Sequence, residues 1–435
     1  MPAGSTIVSI SAREIFSDRG HPGVEATVVT QNGAKGVAVV TAGVSVGVHE
    51  VQFAYDGGTK WGGKGVMKAV NHVKEIIAPA VMGMDATRQM EVDQVIIDLD
   101  GTPTKSKLGG NATGSVSAAV LQAGAASIGI PLYQHIGGVN AVTLPTPGAI
   151  TVLGSQRYGG GKRSGGKPSY SYICYGFDTF SDASYAGWLA NKEFLAALQT
   201  KYGIDSARAW GMVSAGYVKH DRELWDVMTE TINKLGYEGK LGIQVDVAAG
   251  TYWEKDKNRF VGLFSAEDKT VDDLIKLYED ATANYPFVII EDPLDETDYE
   301  GHAEVTKRLD VQIVGDDLFT TNVERLQMGL KTGAANCMLL KVYQIGTITE
   351  AFEAVRMAHA AGYGVMPCDS RGEGPTIADY CVGLNSGHLR EGGTGPVGNR
   401  FLQIEAELGP RAQFAGAAGI KKLAEKIKKR QAVPA

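Results

Sequence analysis

The chain has 435 residues, more than a single hydrophobic core usually supports, so we expect two domains. Its 44% hydrophobic and 21% charged residues are ordinary for a globular protein, and its formal net charge of -7 excludes nucleic acid as an expected partner. No apolar run approaches the roughly 18 residues that span a membrane, so we expect no membrane partner. The N-terminus lacks a signal-peptide pattern, and the four cysteines show no CxxC spacing. We therefore expect a cytoplasmic protein.

The first 140 residues combine strand-like and helix-like patterns. Apolar residues alternate through TIVSISAREIF, VEATVVT and KGVAVVTAG, and Gly and Asn interrupt these segments. From about residue 66 to residue 135 the pattern becomes helical and rich in alanine. We therefore predict a small α+β domain over residues 1–140 and a second domain over residues 141–435.

In the second domain, short apolar segments end in polar residues and are followed by helical segments. Such ends occur in LGIQVDV, PFVIIEDP, VQIVGDD, MLLKVYQ and YGVMPCDSR, which carry Asp246, Glu291, Asp316, Lys341 and Asp369. Asp316 and Lys341 each follow the preceding polar end by 25 residues, which suits one strand, one helix and two short loops of a (β/α)8 barrel. An open doubly wound sheet is the alternative, but its single crevice explains successive polar strand ends less well. We predict an α/β fold with a TIM-type barrel whose C-terminal strand ends face one shared mouth.

The polar strand ends predict a metal site with a basic side chain. Three carboxylates aimed at one mouth need a compensating charge, and oxygen ligands without His or Cys indicate magnesium rather than zinc. Lys341 lies in an otherwise apolar strand, where burial near a cation should depress its pKa and make it a usable general base. The alternatives are that the acids cap helices or pair with surface bases, and that Lys341 is an ion-pair partner of one acid. The barrel spacing of all four residues favours the metal site.

These segments resemble the enolase family. QVDVAA, IIEDPLD, VGDDL and MLLKVYQIGTITE look like its signature strands, in order, and SAREIFSDRGHPGVE, DGGTKWGGKGVMKAVNHV and LGGNATGSVSAAVLQAGAA are similar to its N-terminal domain. The resemblance implies an N-terminal α+β capping domain followed by an enolase-type modified TIM (β/α)8 barrel in which one early strand is antiparallel. It also implies a homodimer or larger homo-oligomer, and an enediolate that magnesium stabilises.

The resemblance also implies roles for individual residues. Asp246, Glu291 and Asp316 would hold the first Mg²⁺, and Lys341 would be the base beside the α-carbon of the substrate. Ser45, in AGVSVG, matches a serine that helps bind the second, catalytic Mg²⁺ together with substrate phosphate. Its retention favours a phosphorylated or otherwise anionic small-molecule substrate.

Several segments that face the substrate differ from the enolase pattern. GMVSAG (211–216) stands where enolases have GDEGG, and YSY (170–172) stands where they have QEF, so Ser171 replaces a glutamate. GSQRYGG replaces GGSHAGN, CDSRGE replaces SHRSGE, and an arginine replaces the substrate-contacting lysine. Because dehydration needs a general acid, Asp369 and Ser171 become the candidates for that role. Besides Ser45, we expect substrate contacts from Gln156, Arg157, Ser370, Arg371 and Arg390.

The metal ligands and the base are thus retained while the acids differ. We predict a magnesium-dependent lyase that abstracts a proton α to a carboxylate, with specificity altered toward another anionic hydroxy acid. One alternative is phosphopyruvate hydratase, which converts 2-phosphoglycerate to phosphoenolpyruvate in glycolysis, and another is a non-catalytic binding protein on an enolase scaffold. The segment 159–170, GGGKRSGGKPSY, is either a basic loop that closes over an anion or a solvated flexible insertion.

Overall fold

The structure is a computed structural model that describes residues 4–17, 20–43, 47, 49–154, 156–205 and 210–431. The strands are, in chain order, β1 (Ile7–Phe16), β2 (Pro22–Thr30), β3 (Lys35–Thr41), β4 (Thr143–Leu144), β5 (Thr146–Leu153), β6 (Ser169–Cys174), β7 (Gly211–Met212), β8 (Leu241–Asp246), β9 (Trp253–Glu254), β10 (Arg259–Phe260), β11 (Phe287–Glu291), β12 (Gln312–Gly315), β13 (Cys337–Leu340), β14 (Gly364–Pro367), β15 (His388–Gly392) and β16 (Gln413–Phe414). The α-helices are α1 (Met67–His72), α2 (Ala78–Val81), α3 (Gln89–Asp100), α4 (Gly110–Ser127), α5 (Leu132–Gly137), α6 (Phe180–Tyr202), α7 (Arg222–Lys234), α8 (Val271–Asn284), α9 (Tyr299–Arg308), α10 (Val323–Thr332), α11 (Ile348–Ala360), α12 (Thr376–Gly383), α13 (Gly395–Leu408) and α14 (Lys421–Gln431).

The N-terminal region packs a helix against a small antiparallel sheet. β1, β2 and β3 pair in that order, and buried positions recur at every second residue of β2, as the alternating sequence predicts. Helix α4 packs on β2 and β3. Gly36 in β3 allows the close approach, because a Cβ at this position would lie 1.9 Å from the carbonyl oxygen of Ala119 in α4. The α+β character of this region is as predicted, whereas the boundary between residues 140 and 141 stays a prediction.

The second region contains a curled sheet that forms the barrel. Its strand order is β14-β13-β12-β11-β8-β6-β5-β15, and a parallel bridge between Val365 and Gly387 joins the two ends. Among these described strands, β6 alone runs antiparallel to both of its neighbours, β5 and β8. The prediction of a modified TIM barrel with one early antiparallel strand is therefore confirmed.

Polar side chains determine where several barrel helices begin. Thr270 accepts a hydrogen bond from the backbone N–H of Asp273, whose carboxylate accepts one from the Thr270 N–H, so α8 begins with a capping box. Asn322 and Thr347 cap α10 and α11 in the same way with their side-chain oxygens. These caps lie after β12 and β13, beyond the segments that carry Asp316 and Lys341.

No single helix within the described residues has both the length and the apolar character needed to cross a membrane. Helix α4 and the segment Leu132–Asn140 meet those criteria only as a pair, and the pair is bent by 95°. Most residues of α4 are buried within the protein.

Candidate active site

The C-terminal ends of four neighbouring strands bring the predicted charged residues to one mouth. Asp246 and Glu291 are the last residues of β8 and β11 and are direct partners in the strand register. Asp316 and Lys341 each follow the last residue of the next two strands, β12 and β13. All four side chains are buried. The barrel therefore gathers the residues that the sequence spacing selected.

Three carboxylates at this mouth are close enough to share a cation. Oxygen atoms of Glu291, Asp292 and Asp316 lie within 4.8 Å of one another. Glu291 Oε1 is buried and has no hydrogen-bond partner among the residues that the structure describes. Burial raises the pKa of Glu291, even though Arg390 and Lys167 oppose the rise. A buried cluster of acids in which one carboxylate oxygen accepts no hydrogen bond from the described residues fits a divalent cation that prefers oxygen ligands.

The cluster includes Asp292 in addition to two predicted metal ligands. Asp292 Oδ1 accepts a hydrogen bond from the Asp316 N–H at 3.0 Å, and Oδ2 accepts one from the Asp317 N–H at 2.8 Å. Burial and the neighbouring carboxylates raise the pKa of Asp292 well above its usual value. Because both of its oxygens hold the backbone after β12, Asp292 orients Asp316 toward the mouth.

Lys341 and Asp316 form a buried ion pair. Burial by itself would raise the pKa of the Asp316 carboxyl group. The charge and the hydrogen bond of the Lys341 ammonium group act in the opposite direction, and the net shift of the Asp316 pKa is downward. Burial lowers the pKa of Lys341, and the carboxylate of Asp316 raises it. The net shift of the Lys341 pKa is upward. The predicted depression of the Lys341 pKa is therefore not found in the paired arrangement. That prediction assumed a cation beside the lysine, whereas here its nearest partner is an anion.

Asp246 differs from the other predicted ligands because two cationic side chains contact it. Its Oδ2 atom pairs with both Lys167 and Arg390. Arg390 also lies 3.7 Å from Glu291 Oε1 and 2.9 Å from Glu391. Burial and the nearby Arg390 lower the pKa of Lys167 to about 8. Lys167 comes from the glycine-rich loop, which therefore reaches the mouth through at least this residue.

A second buried ion pair links the N-terminal region to the barrel. Arg371, which follows β14, pairs with Glu50 at 2.5 Å. The side-chain amide of Gln344 donates to Glu50 Oε1 at 3.2 Å and to Asp316 Oδ1 at 3.1 Å. The predicted substrate residue Arg371 thus belongs to a polar network that extends from Asp316 into the N-terminal region. Gly43 packs against it, because a Cβ there would lie 1.9 Å from the Arg371 guanidinium.

The two candidate general acids occupy different positions. Asp369 follows β14, is half-buried, and accepts a hydrogen bond from the Gly374 N–H at 2.9 Å. Ser171 lies inside β6 opposite Gln244, which donates to Glu291 Oε2 at 3.1 Å. Because Ser169 and Asp246 are partners in the same register, Ser171 faces the same side of the sheet as Asp246 but lies two residues deeper.

The predicted substrate residues do not all reach the mouth. Arg157 is buried and pairs with Asp221 at 3.2 Å. Gln156 is exposed. Ser370 lies beside Arg371, whose guanidinium donates to its hydroxyl at 3.2 Å. Ser45, the predicted ligand of a second ion, lies outside the described residues.

Sequence reasoning missed several polar residues around the mouth. Asp292 was visible as a polar strand end but matched no predicted role, and Gln344 lies inside the segment MLLKVYQIGTITE but was assigned no role. The contact of Glu50 with Arg371 joins residues 321 positions apart, so no local pattern indicates it. Lys167 stood out only as one of several basic residues in a glycine-rich loop.

Comparisons with known proteins agree with this architecture along the chain. Residues 7–136 match the family "Enolase, N-terminal domain", and residues 160–423 match "Enolase, C-terminal TIM barrel domain". A relative named Enolase from Methanopyrus kandleri is 41% identical over 425 residues, covering 94% of this chain and 97% of the relative. Similar relatives, also named Enolase, come from Methanocaldococcus jannaschii (40% identical over 425 residues, 94% and 97% covered) and Methanococcus aeolicus (38% over 414 residues, 93% and 96% covered).

Proposed function

The chain belongs to the enolase family of carbon–oxygen lyases, and from that membership we propose that it removes a proton α to a carboxylate of a phosphorylated hydroxy acid in a magnesium-dependent reaction. The observation that carries the proposal is the buried mouth in which Lys341 lies beside the acids Glu291, Asp292 and Asp316. A basic side chain beside a divalent-cation site is the arrangement that α-proton abstraction requires.

Two magnesium ions are part of the proposal. Asp246, Glu291 and Asp316 would hold the first ion, and Ser45 would contribute to the second together with the substrate. The buried Oε1 atom of Glu291, which accepts no hydrogen bond from the described residues, supports the first site. When bound, magnesium supplies positive charge that stabilises the negative charge developing on the substrate carboxylate.

Lys341 acts as the base in this reaction. Its Nζ takes the proton from the α-carbon, and the electrons of the broken C–H bond move into the enolate. The β-hydroxyl then leaves as water, which requires a second proton from an acid. Asp369 is our first candidate because it is a half-buried carboxyl group after β14, and Ser171 is the second because it faces the barrel interior.

Two substrates come into consideration. The first is 2-phosphoglycerate, converted to phosphoenolpyruvate as in phosphopyruvate hydratase, because relatives named Enolase match almost the whole chain at 38–41% identity. The second is another anionic hydroxy acid. Its support is that Ser171 stands at a position where the family pattern has a glutamate, and that residues 211–216 contain no acid.

We also propose substrate contacts, an assembly and a cellular location. We expect Arg371, Ser370 and Arg390 to contact the anionic substrate and Gln156 to reach it only if its segment moves. Arg157 would act on the substrate indirectly, through the Pro168 carbonyl to which it donates. Family membership supports a homodimer or larger homo-oligomer and a cytoplasmic location.

A substrate screen tests the proposal. The full-length protein is incubated with Mg²⁺ in D₂O with 2-phosphoglycerate and with other phosphorylated or sulfonated hydroxy acids, and NMR records exchange of the α-proton. A coupled assay for phosphoenolpyruvate separates the two candidate substrates. We expect magnesium-dependent exchange with at least one acid, and no exchange with any of them would refute the proposal.

A further inference from the structure

The glycine-rich loop delivers one lysine into the mouth of the barrel. The Lys167 side chain is 12% exposed and its ammonium group pairs with Asp246 Oδ2, the oxygen that also pairs with Arg390. Two cationic side chains therefore share one carboxylate oxygen of a proposed metal ligand. If a divalent cation binds Asp246 and Glu291, Lys167 loses its anionic partner and Arg390 loses two of its three carboxylate partners, keeping Glu391.

Buried polar groups hold two successive backbone carbonyls at this lysine, those of Lys167 and Pro168. The hydroxyl of Tyr252 donates to the Lys167 carbonyl oxygen at 2.5 Å. Arg157 Nη2 donates to the carbonyl oxygen of Pro168 at 2.9 Å, and the same guanidinium pairs with Asp221. Such anchors are not expected of a solvated flexible insertion, and they point the side chain toward the mouth before any ligand arrives.

Asp221 in turn holds the Arg157 side chain in place. It is fully buried and accepts hydrogen bonds from Tyr158 at 2.8 Å and from Tyr170 at 2.6 Å, in addition to Arg157. Arg157, which the sequence suggested as a substrate contact, is therefore a positioning residue for the loop.

We propose that Lys167 is a specificity-determining residue that exchanges its partner during ligand binding: it leaves Asp246 to the divalent cation and, with Arg390, binds the phosphate or a similar anionic group of the substrate. The inference rests on the proposed function, because it takes Asp246 as a metal ligand and an anionic substrate as the second partner. Through Lys167, the glycine-rich loop 159–170 then takes part in recognition of the anionic group.

The exchange predicts opposite effects on two ligands when Lys167 is replaced. In Lys167→Gln, magnesium no longer competes with an ammonium group for Asp246, so its affinity should rise several-fold. The phosphate group loses a charge-assisted hydrogen bond, so its affinity should fall by roughly 10- to 100-fold. A general loss of structure would weaken both ligands, which distinguishes it from the proposed role.

Calorimetric titration of the full-length protein measures both effects. Magnesium is titrated first, and inorganic phosphate is then titrated at saturating magnesium. Lys162→Gln removes an exposed lysine from the same loop and should change neither affinity, and Lys167→Arg should retain phosphate binding. The inference is overturned if Lys167→Gln leaves both affinities unchanged or weakens both, or if the wild-type protein does not bind phosphate.

The result of the calorimetric titration is independent of the result of the substrate screen. Opposite shifts in a protein that exchanges no α-proton would support the role of Lys167 and reject the proposed reaction. Exchange in a protein whose Lys167→Gln variant shows no opposite shifts would support the reaction and reject the role of Lys167.

Discussion

Lys341 and Asp316 extend from neighbouring strand ends, and each holds the other in its charged form. A protonated lysine cannot accept a proton, so the base must first be relieved of its pairing with Asp316. A divalent cation that binds Asp316 would weaken this pairing. The ion pair seen here therefore explains why proton abstraction should depend strictly on the metal.

Replacing the base tests this dependence at the level of one side chain. In Lys341→Ala, α-proton exchange should fall by about 10²- to 10⁴-fold or more, because the proton acceptor is lost. Magnesium binding should be retained, since Asp316 keeps its carboxylate and loses a competing cation. Exchange is followed by NMR in D₂O and magnesium affinity by calorimetry. Lys331→Ala removes an exposed lysine as a control, and persistence of exchange in Lys341→Ala would show that the base is misassigned.

The ion pair between Glu50 and Arg371 is predicted to matter for stability. Both side chains are buried, so Glu50→Gln leaves an uncompensated guanidinium and should lower the free energy of unfolding by about 3–5 kcal/mol. In the control, Glu25→Gln removes the partner of Arg13, whose side chain is 70% exposed, and the loss should be much smaller because water screens the pair. Urea unfolding measures both. Equal losses in the two variants would contradict the role of burial.

His388 makes stability depend on pH. Burial lowers the pKa of its imidazole from 6.5 to about 4, although a hydrogen bond to the Gly419 carbonyl opposes the shift. Because the folded-state pKa lies below the unfolded value, the contribution is complete above pH 6.5 and is lost as the pH falls toward 4. Between pH 7.5 and pH 5 it should fall by about 2 kcal/mol.

The measurement compares urea unfolding of the wild type and His388→Gln at these two pH values. The variant lacks the titrating ring, so its decline with pH should be smaller by that amount, while other groups contribute equally to both proteins. Identical declines would mean that His388 does not titrate in this range.

At the scale of elements, the contact between β3 and α4 depends on a missing side chain. In Gly36→Ala the new Cβ would overlap backbone atoms of Ala119 and Ala123, which cannot rotate away, so the strand and helix must separate. We expect a loss of about 1–3 kcal/mol in the free energy of unfolding. Val37→Ala, on the exposed side of the same strand, should cost less than about 1 kcal/mol in the same urea experiment. A neutral Gly36→Ala would show that the two elements do not pack this closely.

The strands and loops also show which parts of the fold local sequence patterns predict. Strands β8, β11, β12 and β13 were predictable because each is a short apolar run that ends in a charged residue, and barrel connectivity then puts those ends together. The loop 159–170 was not predictable, because glycine-rich segments favour no single conformation. Its order comes from side chains elsewhere in the chain, among them Tyr252 and Asp221.

For the whole molecule, the acidic mouth predicts that magnesium stabilises the fold. A ligand that binds only the native state adds about 2.7 kcal/mol at one hundred times its dissociation constant, so Mg²⁺ should raise the thermal midpoint and EDTA should reverse the effect. Glu291→Gln removes a proposed ligand and should abolish the shift, whereas Asp256→Asn, at an exposed position, should keep it. Scanning calorimetry measures the midpoints. A magnesium shift that survives Glu291→Gln would place the ion elsewhere.

The barrel, the family and the four charged strand ends were all predictable from the amino-acid sequence, because period, spacing and motif are properties of neighbouring residues. Which charged side chains become neighbours depends on the three-dimensional fold. The fold pairs Glu50 with Arg371, Lys167 with Asp246 and Arg157 with Asp221. Electrostatic interaction depends on distance and burial in space, and two residues far apart in the chain carry no local sign that they will be neighbours.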